Sequence, residues 1–137
     1  MAKASEQQHI LVVNDTVAIL DLFTALLEDE GFQVSTDGFS VELGEMLARI
    51  REMQPDLIVL DLVIMEEGKG WQLLQLLRMD RETRDIPVIA LTALAMKGDE
   101  ERIRSAGCDG YIAKPLSYKN FLETISFELE KAETGKA

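Results

Sequence analysis

Residues 57 to 71 read LIVLDLVIMEEGKGW, and the fold turns on the first five. Leu57 to Leu60 form an unbroken apolar run of the kind expected of a strand buried on both faces. Asp61 follows at once. A carboxylate beside such a strand is costly to bury unless it meets a partner, so something outside the strand must need it.

The same grammar recurs along the chain. HILVV at 9–13, FQVS at 32–35, VIAL at 88–91 and YIA at 111–113 are further strand candidates. Between them lie segments with helical spacing: Ile19, Phe23, Leu26 and Leu27; Leu43, Leu47 and Ile50; Leu73, Leu74 and Leu77; Phe121, Leu122, Ile125 and Leu129. Apolar strands alternating with helix-length crossovers imply an α/β fold, a five-stranded parallel sheet wound with helices on both faces. Gly31, Pro55, Pro87 and the pair Gly107 and Gly110 fall between the expected elements, and Thr16 or Asp15 is placed to cap the first helix. The chain divides into a loose N-terminal end at 1–8, one domain at 9–131 and a loose C-terminal end at 132–137.

A chain of 137 residues with 47% apolar content suits one domain with its own core. Its formal net charge of -11 disfavours nucleic acid and anionic membrane as partners, because both would repel it. A single cysteine, Cys108, rules out an intrachain disulfide framework and suits a reducing compartment. No apolar stretch reaches membrane-spanning length, and MAKASEQQ at the N-terminus lacks a signal peptide's apolar segment. The cytoplasm is the expected location.

Chemistry-bearing residues collect where the strands end. Asn14 and Asp15 follow the first run, Asp61 the third, Thr92 the fourth and Lys114 the fifth. An open parallel sheet binds ligands outside the carboxyl ends of its strands, where the winding reverses, so these residues share a cleft. Each alone has an ordinary explanation: Asp15 as a helix cap, Thr92 as a turn residue, Lys114 as a solvated charge. Their joint placement at the ends of one sheet carries the inference.

The motifs NDT at 14–16, PDLIVLDL at 55–62, IPVIALTA at 86–93 and GCDGYIAKPL at 107–116 resemble the receiver domains of bacterial two-component response regulators, the CheY-like family. The resemblance spans about residues 9 to 131, and AMKGDEERIRSAGCDGYIAKPLS at 95–117 is similar to stand-alone DivK-type regulators. It implies a flavodoxin-like strand order of 2-1-3-4-5. It makes Asp61 the phosphoacceptor, attacking a phosphohistidine of a histidine kinase or histidine phosphotransfer protein. Asp15, Asp61 and the carbonyl of Val63 would hold Mg²⁺ (or Mn²⁺) directly, and Asn14 through water. Lys114 would pair with the phosphoryl oxygens, Thr92 would hydrogen-bond one of them, and Tyr111 would be the aromatic switch residue. Such a receiver catalyses its own phosphorylation and dephosphorylation and is otherwise no enzyme. With no room for an output domain, it signals by binding a protein through the face of the fourth helix, fifth strand and fifth helix.

The physics agrees with these implied roles. Two carboxylates about 4 Å apart repel by about 4 kcal/mol at an effective dielectric near 20, so the pair calls for a cation. Magnesium binds a few carboxylates, retains waters and accepts phosphoryl oxygens.

Several positions depart from the family pattern. Asn14 stands where an acidic residue is usual, deleting one negative charge. Met65 replaces a customary Pro, and Gly70 comes one residue late. The segment from Gly38 to Pro55 is longer than usual, through either a longer second helix or an inserted turn. Among other residues, His9 reads as a polar strand end, so the partner supplies the phosphohistidine. Cys108 reads as a small semi-buried residue, Glu66 and Glu67 as a solvated loop face, and Trp71 as packing.

Two other chemistries fit less well. A phosphohydrolase of the haloacid-dehalogenase type needs a second Asp two residues after the nucleophile, and position 63 is Val. A flavodoxin-like electron carrier needs a Ser/Thr/Gly-rich phosphate loop where this chain has NDTVAIL. The alternative that remains is a pseudo-receiver that binds partners without phosphorylation, a reading that Asn14 and the altered loop favour.

Overall fold

Every residue of Leu57–Asp61 is buried, and this strand lies at the centre of a five-stranded parallel sheet. The computed structural model describes residues 7–14, 16–38, 42–61, 69–92, 99–113 and 118–136. The strands are β1 (His9–Val13), β2 (Gln33–Asp37), β3 (Leu57–Asp61), β4 (Val88–Thr92) and β5 (Gly110–Ala113). They alternate with α1 (Val17–Asp29), α2 (Leu43–Met53), α3 (Lys69–Met79), α4 (Asp99–Ser105) and α5 (Tyr118–Lys136). The order across the sheet is β2-β1-β3-β4-β5, as the resemblance implies.

Both faces are covered, which is why the strands read as continuous apolar runs. Alternate residues of a strand face opposite ways. Leu11, Val13, Ile58, Leu60, Val88 and Ala90 pack with Met46 and Ile50 of α2, Leu73, Leu74 and Leu77 of α3, and Ile103 of α4. Ile10, Val12, Leu57, Val59, Ile89, Leu91 and Ile112 pack with Leu20, Phe23 and Leu27 of α1 and Phe121, Ile125 and Leu129 of α5. The rings of Phe23 and Phe121 join α1 to α5 with centroids 4.9 Å apart. Right-handed crossovers explain the division: the chain winds one way from β1 to β2 and the other way from β2 through β5, placing α1 on one face and α2 to α4 on the other.

Boundaries differ from expectation at several points. β2 ends at Asp37, two residues beyond the apolar run, because its edge position is held by backbone pairing with β1 through Val13 and Asp37. Gly110 opens β5 instead of preceding it. α5 continues to Lys136, so residues 132–136, expected to be a loose end, are helical. At the other end, Gln8 accepts a hydrogen bond from the Gln33 amide at 2.9 Å, which extends the β1–β2 ladder; residues 1–6 lie outside the described set. Thr16 is the N-cap of α1, but its side chain makes no capping hydrogen bond. α2 is 11 residues long, and residues 39–41 of the segment before it lie outside the described set.

The punctuation has local causes. Gly31, with φ of +96°, lets the chain leave α1, and the Phe32 amide returns to the Leu27 carbonyl at 3.1 Å. Gln54, with φ of +48°, ends α2 in the left-handed region. Its side chain donates to the carbonyls of Arg51 at 2.9 Å and Glu82 at 3.0 Å, binding together the turns after α2 and α3.

Candidate functional site

The parallel register creates the site. Val13 pairs with Leu60, so Asn14 and Asp61, one residue further along β1 and β3, emerge side by side at the carboxyl end of the sheet. They are 47 residues apart in sequence, yet Asn14 Nδ2 donates a hydrogen bond to Asp61 Oδ2 at 3.0 Å. On the other side, Asp61 pairs with Leu91 of β4, and Thr92 follows as the last residue of that strand. The site therefore sits between β1 and β3, where the winding reverses.

Both side chains are enclosed: Asn14 and Asp61 are each 1% exposed. A buried carboxylate needs hydrogen-bond donors or positive charge to offset lost hydration. Asn14 supplies one donor and is itself held at both ends of its amide. Its Oδ1 accepts from the Thr16 backbone amide at 2.9 Å, tying it to the start of α1. Its own backbone amide donates to the Asp37 carbonyl at 3.0 Å, tying it to the end of β2.

Asp37 escaped the sequence reading. It is 9% exposed at the end of β2, and its carboxylate lies 3.5 Å from the Arg49 guanidinium of α2. The only available signal was its position four residues after Gln33, in a polar stretch that apolar-run reading ends too early.

Of the other expected site residues, Tyr111 is on β5, half-buried and packed against the cluster under α2, α3 and α4. It pairs with Ala90, and Ala113 pairs with Thr92, so Thr92 and Tyr111 hold diagonal positions on neighbouring strands. Asp15, Val63 and Lys114 lie outside the described residues, as do Met65, Glu66 and Glu67. The residues given ordinary roles behave accordingly. His9 opens β1 at the opposite end of the sheet from Asp61, with Nε2 2.7 Å from Ser35 Oγ. Trp71 packs against the core. Cys108 is buried, and burial pushes its thiol pKa up to about 12, far from a reactive thiolate.

The Asp61 carboxylate, enclosed at a strand end, is a hard oxygen donor of the kind a divalent cation accepts. Asn14, as it is turned, presents hydrogens and not oxygen toward Asp61.

The comparisons with known proteins agree with this geometry. Residues 10–126 match the model of the response regulator receiver domain. The chain is 42% identical over 125 residues to the polar-differentiation response regulator DivK of Brucella ovis, covering 91% of this chain and 98% of that relative. Among solved structures, a CheY-like response regulator receiver domain protein from Methanospirillum hungatei JF-1 superposes with a TM-score of 0.80 at 30% identity, covering 95% of this chain and 99% of that one. The N-terminal domain of a response regulator receiver protein from Methanoculleus marisnigri JR1 gives 0.66 at 34% identity, covering 87% and 94%. The chain belongs to the receiver-domain family of two-component response regulators.

Proposed function

We propose that this receiver is a phosphorylation-dependent protein switch with Asp61 as its phosphoacceptor. The observation that carries the reading is the enclosed Asp61 carboxylate, ending a fully buried strand at the reversal point of the sheet and oriented by Asn14. In the transfer, an Asp61 oxygen attacks the phosphorus of a partner's phosphohistidine. The new bond is P–O, the broken bond is P–N, and the imidazole leaves with the electron pair and takes up a proton. The product is an aspartyl phosphate.

The protein's part in this chemistry is positioning and charge neutralisation. Lys114 pairs with the phosphoryl oxygens and Thr92 donates to one of them. Asp15, Asp61 and the Val63 carbonyl would hold Mg²⁺ (or Mn²⁺), and Asn14 would reach it through water once its amide turned Oδ1 toward the site. The cation supplies positive charge to the phosphoryl oxygens when bound.

A histidine kinase or histidine phosphotransfer protein is the donor partner. Support comes from α1, which begins three residues after Asn14 and exposes the apolar Val17 (70%) at its start, at the carboxyl end of the sheet. The output is a protein bound through the α4–β5–α5 face. A cytoplasmic setting fits the formal charge of -11 and the absence, among the described residues, of any helix long and apolar enough to cross a membrane.

A second reading, a pseudo-receiver that binds partners without phosphorylation, is favoured by one observation: the Asn14 amide already satisfies part of Asp61 without a cation. Incubation with a small phosphodonor and Mg²⁺, followed by intact mass, separates the two. Gain of one phosphoryl group supports the switch; no gain, with partner binding retained, supports the pseudo-receiver.

A further inference from the structure

We propose that Asn14 is a latch on Asp61: its amide holds the acceptor carboxylate in the metal-free protein, and cation binding has to break that hold. The inference rests on the reading of Asp61 as acceptor and cation ligand, and deepens it into a means of regulating the site.

The orientation of the amide is set from both ends. Oδ1 accepts from the Thr16 backbone N–H at 2.9 Å, and Nδ2 donates to Asp61 Oδ2 at 3.0 Å. Turning the amide over would face two donors at Thr16 and two acceptors at Asp61, so each contact fixes the other. With both side chains 1% exposed, bulk water does not compete freely for these groups.

That orientation matters for a cation. Water bound to a metal ion offers hydrogens outward, and the side of Asn14 facing Asp61 also carries hydrogens. The two repel. A cation filling the site therefore makes the amide turn, giving up its bonds to Thr16 and Asp61 together. A carboxylate at position 14 would behave oppositely. It could still accept from the Thr16 N–H, but it would replace the donor toward Asp61 with a second negative charge, unfavourable without a cation and favourable with one. The native amide therefore gives a site that is settled when empty and weaker for metal, so that occupancy follows the free cation concentration.

The test compares wild type with Asn14→Asp by thermal melting in EDTA and in saturating Mg²⁺, and by calorimetric titration with Mg²⁺. Asn14→Asp is expected to melt several degrees below wild type in EDTA, to gain more from Mg²⁺, and to bind Mg²⁺ about tenfold more tightly, a difference of about 1.4 kcal/mol. Equal Mg²⁺ affinities, or a variant that melts at or above wild type in EDTA, would overturn the latch. If wild type binds no Mg²⁺ at all, the cation reading of the site fails, while the EDTA comparison still decides whether Asn14 steadies Asp61. Should the variant not fold, the wild-type Asn14 side-chain NH₂ signals are followed by NMR instead. They are expected to shift as Mg²⁺ fills the site; signals unmoved at saturation overturn the proposal.

Discussion

Arg78 and Asp109 stand 31 residues apart in the chain and 2.9 Å apart in space, joining the end of α3 to the turn before β5. The same guanidinium donates to the carbonyls of Gly107 at 2.7 Å, Arg84 at 2.9 Å and Ile86 at 2.8 Å. Asp109 Oδ2 in turn accepts from the Val88 amide at 2.9 Å, at the start of β4. One planar side chain thus fastens α3, the turn before β4 and the α4–β5 turn at the end of the sheet away from Asp61.

Removing this fastener leaves three carbonyls and a carboxylate short of a donor. Arg78→Ala is expected to lower stability by about 2–3 kcal/mol, because bonds to charged groups contribute most and Asp109 remains partly solvated. Arg78→Lys is expected to recover only part, since an ammonium cannot span the same four acceptors. Urea unfolding checks both. A midpoint unchanged in Arg78→Ala would mean that the network is incidental.

Gly107 sits against the same side chain. Its φ is +116°, and a Cβ there would lie 2.9 Å from Arg78 Cγ, so Gly107→Ala is expected to cost about 1–3 kcal/mol from backbone strain and contact together. In an Arg78→Ala background the contact part disappears and the strain remains. The double variant is therefore expected to be less destabilised than the sum of the singles. Strict additivity in urea unfolding would contradict this.

Cys108 gives the fold an alkaline limit. Burial raises its thiol pKa from the ordinary 9.0 to about 12, partly offset by Arg78. Its contribution is complete below about pH 9. As pH rises toward 12 the unfolded chain loses the proton first and stability falls. Urea unfolding of wild type and Cys108→Ala across that range isolates the effect: the variant is expected to lose less stability with rising pH. Identical slopes would show that the thiol does not titrate differently on folding.

How much of this was legible beforehand depended on which force decided each part. β1, β3 and β4 could be read because burial on both faces leaves runs such as LIVL, and Asp61 stood out because it breaks one. β2 was misplaced at its end because QVSTD is an edge strand held by backbone pairing, which leaves no apolar run. The end of α5 was missed because AETGK lacks apolar spacing, and helical backbone can continue from a packed helix without it. Within the site, strand ends marked Asn14 and Asp61, but their hydrogen bond depends on the pairing of Val13 with Leu60, which composition cannot supply. The contacts of Arg78 depend on long-range placement in the same way, and no sequence pattern marks them.

Phosphorylation is expected to act on Tyr111 through Thr92. Their diagonal positions on β4 and β5 place both residues on one face of the sheet, as such a coupling requires. Shifting a two-state balance from about 1:99 to 99:1 takes roughly 5.5 kcal/mol, within reach of a few charge-assisted contacts. Amide NMR of wild type and Thr92→Ala, each with and without phosphodonor, is the check. Phosphorylation-dependent shifts around Tyr111 that persist in Thr92→Ala would break the proposed link.

The phosphorylated form is expected to be long-lived. By family resemblance, Val63 and Leu94, both outside the described residues, would flank the path of the hydrolytic water, and neither side chain offers a donor or acceptor to orient it. Each 1.4 kcal/mol or so added to the barrier slows phosphate loss about tenfold. Decay followed by mass after donor removal is expected to be faster in a Val63→Asn, Leu94→Glu double variant. Equal decay would remove these two side chains as determinants of lifetime.

Asp61, and no other residue, is expected to carry the phosphoryl group. Borohydride reduces an aspartyl phosphate to homoserine, so treatment of the phosphorylated protein followed by fragment mass spectrometry locates the acceptor directly. Wild type is expected to yield homoserine at position 61, and Asp61→Asn no reduced residue. Reduction at Asp15, Asp37 or another carboxylate in wild type, or undiminished labelling of Asp61→Asn, would contradict it.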